Sequence, residues 1–106
     1  MQLFFDGNTG HLIVRMPQEF DHYMAQNMRE AVDEALTDER IMGIRFDFAD
    51  TTFMDSSAIG FIMGRYERVS AFGGDVLICN IHPRMRMMLR MSGLQKYVTF
   101  EEECNE

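Results

Sequence analysis

The sequence predicts one α/β domain over residues 1–106, with a mixed β-sheet, an N-terminal antiparallel hairpin and alternating helices. The length of 106 residues is close to the commonest size of a single domain. Strand-like and helix-like patterns alternate along most of the chain, which favours parallel strands joined by helices. The first two strand-like runs are instead separated by the turn sequence Gly7-Asn8-Thr9-Gly10, which is typical of a hairpin.

The first half of the chain predicts the hairpin, one helix and one further strand. The hairpin strands are Gln2 to Phe5 and His11 to Met16. Apolar residues then recur at helical spacing, which predicts a helix over residues 21–37 with one buried stripe. Asp21 lies at its start, where a carboxylate can accept hydrogen bonds from the free N–H groups of the first turn. Period-two alternation over residues 41–48 predicts the next strand.

The second half predicts two further helices and two short strands. The second helix is predicted over residues 57–70. The apolar run Val76 to Cys79 has the pattern of a strand that is buried on both faces. Pro83 suits the first turn of a third helix, and Gly93 suits the position just after its end. Val98 to Phe100 predicts a last strand at an edge of the sheet.

Composition and charge argue against several classes of protein. The hydrophobic fraction of 46% is ordinary for a folded domain and argues against disorder. No apolar run approaches the ~20 residues that a membrane-spanning helix needs. The first residues lack a basic stretch before an apolar segment, so we expect no secretory signal and a cytoplasmic protein. The net charge of -7 repels nucleic acid and anionic membranes, so we expect neither as a direct partner.

Cysteine and histidine give no pattern of a cofactor or metal site. Cys79 and Cys104 form no C-x-x-C motif, so reduced thiols are expected. His11, His22 and His82 are scattered and lack the close spacing of zinc ligands, which favours surface or capping roles. We therefore expect no cofactor, no metal and no catalytic residue.

The start of the second helix is the most informative segment. Asp55, Ser56 and Ser57 run from a strand end into the helix. Polar residues in this position lie where open α/β sheets place their sites. Ser56 falls at or next to the N-cap, where its hydroxyl can cap the helix and is also exposed. Ser56 is therefore the candidate site of modification.

The second helix combines a predicted core face with an unusual opposite face. At about 100° per residue, the core face carries Ile59, Ile62, Met63, Tyr66 and Val69. The opposite face carries Ser57, Gly60, Phe61, Gly64 and Arg68. Each helix-interior glycine costs about 0.8–1.0 kcal/mol relative to Ala. Two of them leave a flat groove beside an aromatic ring that we predict to be exposed, which is typical of a docking surface. The alternative is that this face packs on another element of the same domain.

A phosphate on Ser56 is predicted to change binding without unfolding the protein. It would add roughly -1.5 to -2 charges at pH 7. The dipole and the free N–H groups of a helix N-terminus favour an anion, so the fold tolerates it. Asp55 beside it, and Asp21 if the two loops lie together, deepen the negative potential. A partner that presents acidic groups would then be repelled.

Several of these residues resemble the STAS family, and specifically its anti-sigma factor antagonists of the sporulation type. The resemblance covers nearly the whole chain. The matching segments are Phe20-Asp21-His22, Phe53-Met54-Asp55-Ser56-Ser57, Gly60 with Gly64-Arg65-Tyr66, Gly73-Gly74 and Met91-Ser92-Gly93-Leu94. The Asp-Ser-Ser and Ser-Gly-Leu stretches are its most specific parts. Ala58 stands where the family usually has Gly, and Phe61 stands where it commonly has a smaller aliphatic residue. Ala favours helix more than Gly, so we expect a stiffer helix start.

The resemblance implies a single STAS domain and a role in transcription regulation. Such proteins bind an anti-sigma factor that is also a serine kinase, and so free the sigma factor. The kinase phosphorylates the antagonist, binding is lost, and a serine phosphatase restores the active form. The implied phosphoacceptor here is Ser56, and the implied partner contacts near it are Asp21 and Asp55. The helix face adds Ser57, Gly60, Phe61 and Gly64 as expected partner-binding residues.

Three alternatives remain open from the sequence. The first is a STAS binding module of a transporter or another signalling assembly that lacks this phosphorylation cycle. The second is an enzyme with Ser56 as nucleophile and Asp21 or Asp55 assisting, which is disfavoured because no histidine can be assigned as its base. The third is nucleotide binding at the same helix start, which lacks the support of a Gly-rich phosphate loop.

Overall fold

The protein contains a five-stranded mixed sheet, a second sheet of two short strands, and three helices, in a computed structural model that describes residues 2–101. The strands are β1 (Gln2–Asp6), β2 (His11–Arg15), β3 (Glu19–Phe20), β4 (Gly43–Asp47), β5 (Phe53–Met54), β6 (Asp75–Cys79) and β7 (Thr99–Phe100). The helices are α1 (His22–Ala35), α2 (Ser57–Ser70) and α3 (Pro83–Met91), and a 3-10 turn covers Leu94–Lys96. Cys104 lies outside the described residues.

The main sheet has the strand order β1-β2-β4-β6-β7. β1 pairs with β2 in an antiparallel hairpin, and the other neighbouring strands of this sheet pair in parallel. β7 is therefore an edge strand, as the sequence predicts. The predicted mixed sheet with an N-terminal hairpin and alternating helices is confirmed.

One face of the main sheet is buried, and the other is buried in part. Two rows of buried side chains cross neighbouring strands in register: Leu12, Ile44 and Val76, and then Val14, Phe46 and Ile78. On the opposite face, Cys79 of β6 is also buried, and Leu77 is partly buried. The prediction that β6 is buried on both faces is therefore confirmed for Val76, Ile78 and Cys79, whereas Leu77 is incompletely covered.

The helix ends follow the local signals of the sequence. Asp21 is the N-cap of α1, and its carboxylate accepts a hydrogen bond from the N–H of Met24 at 3.0 Å. α2 spans residues 57–70, as predicted. Pro83 lies in the first turn of α3, and Gly93 follows its end in the left-handed region at φ 90°, where glycine is favoured. The His82 ring caps α3, one of the roles that the sequence favours for the histidines, since it accepts from the N–H of Arg84 at 3.1 Å.

The two-stranded sheet positions the candidate site. β3 and β5 pair in parallel, with Glu19 opposite Phe53 and Phe20 opposite Met54. The N–H of Asp55 also donates to the carbonyl oxygen of Phe20 at 3.3 Å. Because α1 follows β3 and α2 follows β5 almost directly, this pairing brings the first turns of the two helices together.

Candidate functional site

Ser56 lies at the start of α2, and its hydroxyl is not used to cap the helix. The residue is exposed and occupies the N-cap position with helical angles of φ -67° and ψ -12°. Its side chain makes no capping hydrogen bond to a described residue. The neighbouring Asp55 does this instead, because its carboxylate accepts from the N–H of Ser57 at 2.9 Å and also from the Ser57 hydroxyl. Ser56 thus lies at the N-cap, as predicted, but its hydroxyl does not form the cap and stays available for chemistry.

Asp55 is held in its ionised form beside Ser56. The hydrogen bond from the Ser57 hydroxyl lowers the pKa of the Asp55 carboxyl, the N–H of Ser57 lowers it further, and His22 adds smaller contributions. These interactions stabilise the carboxylate over the protonated acid. A modification at Ser56 would therefore take place next to a carboxylate whose ionised form is stabilised.

Asp21 occupies the corresponding position in front of α1. It is half-buried and its carboxylate is engaged by the N–H of Met24. Because Asp21 follows β3 and Asp55 follows β5, the pairing of these strands places both acidic residues at one edge of the two-stranded sheet. The structure thus brings together the two acidic residues that the sequence associated with Ser56.

A groove of about 310 Å³ runs between α1 and α2. From α1 it is lined by His22, Ala25, Gln26 and Arg29, and from α2 by Ser57, Gly60, Phe61, Gly64 and Arg65. All four predicted partner-binding residues of α2 therefore lie along one depression. Ser57 marks its end at the start of the helix, next to Ser56.

The two helical glycines are not required by the packing of this chain. A Cβ atom added at Gly60 or Gly64 would meet no heavy atom of the described residues within 4 Å, apart from chain neighbours and the backbone of the same helix. Neither residue has a positive φ. Alanine would therefore fit both positions and would favour the helix. The open space beside these glycines is the smooth floor of the groove.

Phe61 is buried, which corrects the prediction of an exposed aromatic ring. The residue is only 5% exposed. Its ring packs edge-on against Phe20 at a centroid distance of 5.1 Å and against Phe46 at 5.9 Å. α2 packs against α1 as well as the sheet, so its buried face is rotated towards α1. That face carries Ala58, Phe61, Ile62, Arg65 and Val69. Ile59, Met63 and Tyr66, predicted as core, are only partly buried.

Arg65 is a residue of the groove that the site prediction missed. It is 5% exposed, and its guanidinium lies over the Phe61 ring at 4.9 Å. Its Nε is 2.8 Å from Oδ1 of Asp33 on α1. Burial lowers the pKa of the guanidinium, and Asp33 opposes this shift. Its position four residues after Phe61 is the signal that could have indicated a shared face.

Comparison with known proteins identifies the family. The model of the STAS domain matches residues 5–106. The chain belongs to the STAS domain family. An anti-sigma F factor antagonist from Paenibacillus polymyxa is 34% identical to this STAS domain over 106 residues, which is 99% of this chain and 91% of the relative.

Two solved structures share the architecture of this STAS domain. The anti-sigma factor antagonist SpoIIAA in its unphosphorylated form matches with a TM-score of 0.75 and 25% identity, over 95% of this chain and 86% of that chain. The Bacillus cell fate determinant SpoIIAA in its phosphorylated form matches with a TM-score of 0.73 and 27% identity, over 96% and 91%. Within residues 2–101 of the STAS domain described here, no helix has the length and apolar character needed to cross a lipid bilayer.

Proposed function

We propose that this chain is a cytoplasmic anti-sigma factor antagonist that is controlled by phosphorylation of Ser56. The unphosphorylated form binds an anti-sigma factor that is also a serine kinase, and so releases the sigma factor. The kinase transfers a phosphate from ATP to Ser56, and the modified form no longer binds. A serine phosphatase returns the protein to its binding form. The protein acts by binding rather than by catalysis.

The observation that carries this proposal is the free hydroxyl of Ser56. Ser57, its immediate neighbour, has its hydroxyl engaged by Asp55, whereas Ser56 is exposed and takes no part in the cap. A kinase needs a hydroxyl that it can reach without breaking the fold. Of the two adjacent serines, Ser56 is therefore the better acceptor. The similarity to SpoIIAA, solved in phosphorylated and unphosphorylated forms, supports the same conclusion.

The local electrostatics support a switch that acts on binding. The N–H groups at the start of α2 can accommodate an anion, so a phosphate on Ser56 should leave the helix intact. The phosphate would stand beside the ionised Asp55, whose carboxylate is already engaged by Ser57. Two neighbouring groups of the same sign raise the negative potential at the end of the groove. The phosphate would therefore oppose a partner at this end of the groove by its charge and by its size.

The groove between α1 and α2 supports the location of the partner. Ser57, Gly60 and Gly64 line it, and the glycines leave room for a closely approaching element. Asp21 and Asp55 lie at the starts of the two helices that form its walls. A partner that fills the groove would meet Ser56 at its end. Phe61 contributes indirectly, because its buried ring supports the floor.

The test is phosphorylation by the cognate anti-sigma kinase with ATP, followed by intact-mass measurement and mapping of the modified residue. We expect one added phosphate, on Ser56. Ser57→Ala is the matched control, because it removes the adjacent hydroxyl and should still accept one phosphate. Ser56→Ala should accept none and should bind the kinase continuously.

Two outcomes would contradict the proposal. A phosphate mapped to Ser57 would mean that the Asp55–Ser57 cap opens for the kinase and that Ser56 is not the acceptor. Tight complex formation without any phosphate would leave a STAS binding module that works without this cycle. Ser56→Asp should keep the fold and lose binding, and wild-type affinity in this variant would remove the electrostatic part of the argument.

A further inference from the structure

Arginines gather along the wall of the groove between α1 and α2, although the chain as a whole is acidic. Arg29 of α1 and Arg65 of α2 both line the groove, and Arg68 lies one turn further along α2. Asp33 contacts two of these residues, with its Oδ1 at 2.8 Å from Nε of Arg65 and 3.3 Å from Nε of Arg68. Arg29 is exposed and forms no ion pair with a described residue. Asp33 therefore pairs with two of the three arginines and leaves Arg29 without an ion pair to a described residue.

The inner arginine is buried without a hydrogen bond at its Nε. The Arg65 side chain is only 7% exposed. Its Nε forms an ion pair with Oδ1 of Asp33 at 2.8 Å, and neither atom meets the geometry of a hydrogen bond with a described residue. Burial lowers the pKa of Arg65 most strongly, Asp33 opposes this shift, and Arg29 and Arg68 add to it. Arg65 and Arg68 share one carboxylate, and Arg29 forms no ion pair with a described residue, so the groove retains positive charge at its wall.

We propose that the groove binds a carboxylate side chain of the anti-sigma factor, with Arg29 and Arg65 as its cationic contacts. The inference rests on the proposed function, because it names the chemistry of the group that this partner inserts. An acidic side chain is favoured over an apolar one, since an apolar occupant would bury Arg65 further without compensating its charge. The guanidinium group offers a fork of donors that matches a carboxylate.

Charge complementarity also gives the site its specificity. The net charge of -7 repels an acidic partner from most of the surface, so a cationic groove is a preferred place for its approach. Ser57 lies at the end of the same groove, and Ser56 precedes it. A phosphate on Ser56 would oppose the approach of a carboxylate that the arginines attract. Phosphorylation of Ser56 and attraction by the arginines therefore act on the same carboxylate of the partner.

The test compares charge changes at two exposed arginines of the full chain. Arg29→Glu changes the groove, and Arg84→Glu makes the same change at the start of α3. The affinity of each unphosphorylated variant for the cognate anti-sigma factor is measured by calorimetry, with thermal melting as a check of the fold. We expect Arg29→Glu to weaken binding by about tenfold or more, and Arg84→Glu to change it by less than about twofold. Arg29→Gln should fall between them and reduce the salt dependence.

A charge swap then identifies the group that the groove receives. Acidic residues on the surface of the anti-sigma factor are changed to Arg one at a time, and one such change should restore binding to Arg29→Glu. Equal affinities for Arg29→Glu and Arg84→Glu would overturn the inference while leaving the proposed function intact. Loss of binding in Arg29→Glu that no acidic-to-Arg change restores would also overturn it. Failure of the wild-type protein to bind any anti-sigma factor would instead overturn the proposed function, and this inference with it.

Discussion

Glycines in two regions of the molecule lack a side chain for different reasons. At the starts of β4 and β6, the fold leaves no room. A Cβ at Gly43 would lie 2.7 Å from the carbonyl oxygen of Asp75, and one at Gly74 would lie 2.6 Å from the carbonyl oxygen of Met42. Along α2, by contrast, a Cβ at Gly60 or Gly64 would meet no heavy atom of residues 2–101 within 4 Å outside its own chain neighbours and helix backbone.

The glycines of the two regions differ in whether the fold requires them. Gly43 lies in register between His11 of β2 and Asp75 of β6. The His11 ring nitrogen Nε2 reaches the Asp75 carboxylate at 2.9 Å across the missing side chain. Gly43 therefore makes room for a contact within the chain. Gly60 and Gly64 carry a cost in helix propensity and make room for no other side chain of residues 2–101, which fits a partner that occupies the groove.

The largest expected effect is at the floor of the groove, where the side chain is part of the core. Phe61→Ala should lower the free energy of unfolding by about 3–5 kcal/mol, because it removes a ring packed against Phe20 and Phe46. Phe53→Ala is the matched control, since Phe53 is 51% exposed and should cost far less. Urea unfolding of both variants checks this. If both variants lost the same free energy of unfolding, the α2 face towards α1 would not be part of the core. The contrast between the strand starts and α2 would then lose its basis.

The sequence predicts elements well where the signal lies within one element. The limits of α2, the Asp21 cap and the turn at Gly93 depend on local chemistry, and the structure confirms them. The face of α2 depends on what packs beside it. Helical periodicity identifies one apolar stripe, but it does not show that α1 covers the neighbouring face, and so Phe61 was predicted to be exposed. β3 and β5 have two residues each, which is too short for any period.

The candidate site shows the same difference between signals within one element and contacts between elements. The Asp-Ser-Ser segment indicates a helix start, but Asp and Ser are both good N-caps, so the sequence does not reveal which of them forms the cap. The structure assigns that role to Asp55 and leaves the Ser56 hydroxyl free. The ion pair of Arg65 with Asp33 joins two helices. No single-helix pattern predicts such a contact, because it depends on how the helices pack together.

A smaller loss is expected at the start of β4. Gly43→Ala places a methyl group against the Asp75 carbonyl oxygen and the His11 ring, so the backbone of β6 or β4 must shift. Overpacking of this kind costs about 1–3 kcal/mol. Gly7→Ala in the hairpin turn is the control, because its Cβ would make only an ordinary contact of 3.7 Å with the Phe5 ring. Chemical denaturation at neutral pH measures both. If the Gly43→Ala protein were as stable as Gly7→Ala, the strands at Gly43 and Asp75 could move apart without a loss in the free energy of unfolding.

The smallest expected effect on stability has the opposite sign. Gly60→Ala and Gly64→Ala should each raise the free energy of unfolding by about 0.5–1 kcal/mol, because alanine favours the helix and its methyl group meets open space. The same methyl groups occupy the floor of the groove, so affinity for the anti-sigma factor should fall. Glu67→Ala, at an exposed position of α2, is the binding control. Greater stability with weaker binding would assign these glycines to the partner. Greater stability with unchanged affinity would mean that the partner does not contact this floor, and the assignment of Gly60 and Gly64 to partner binding would fail.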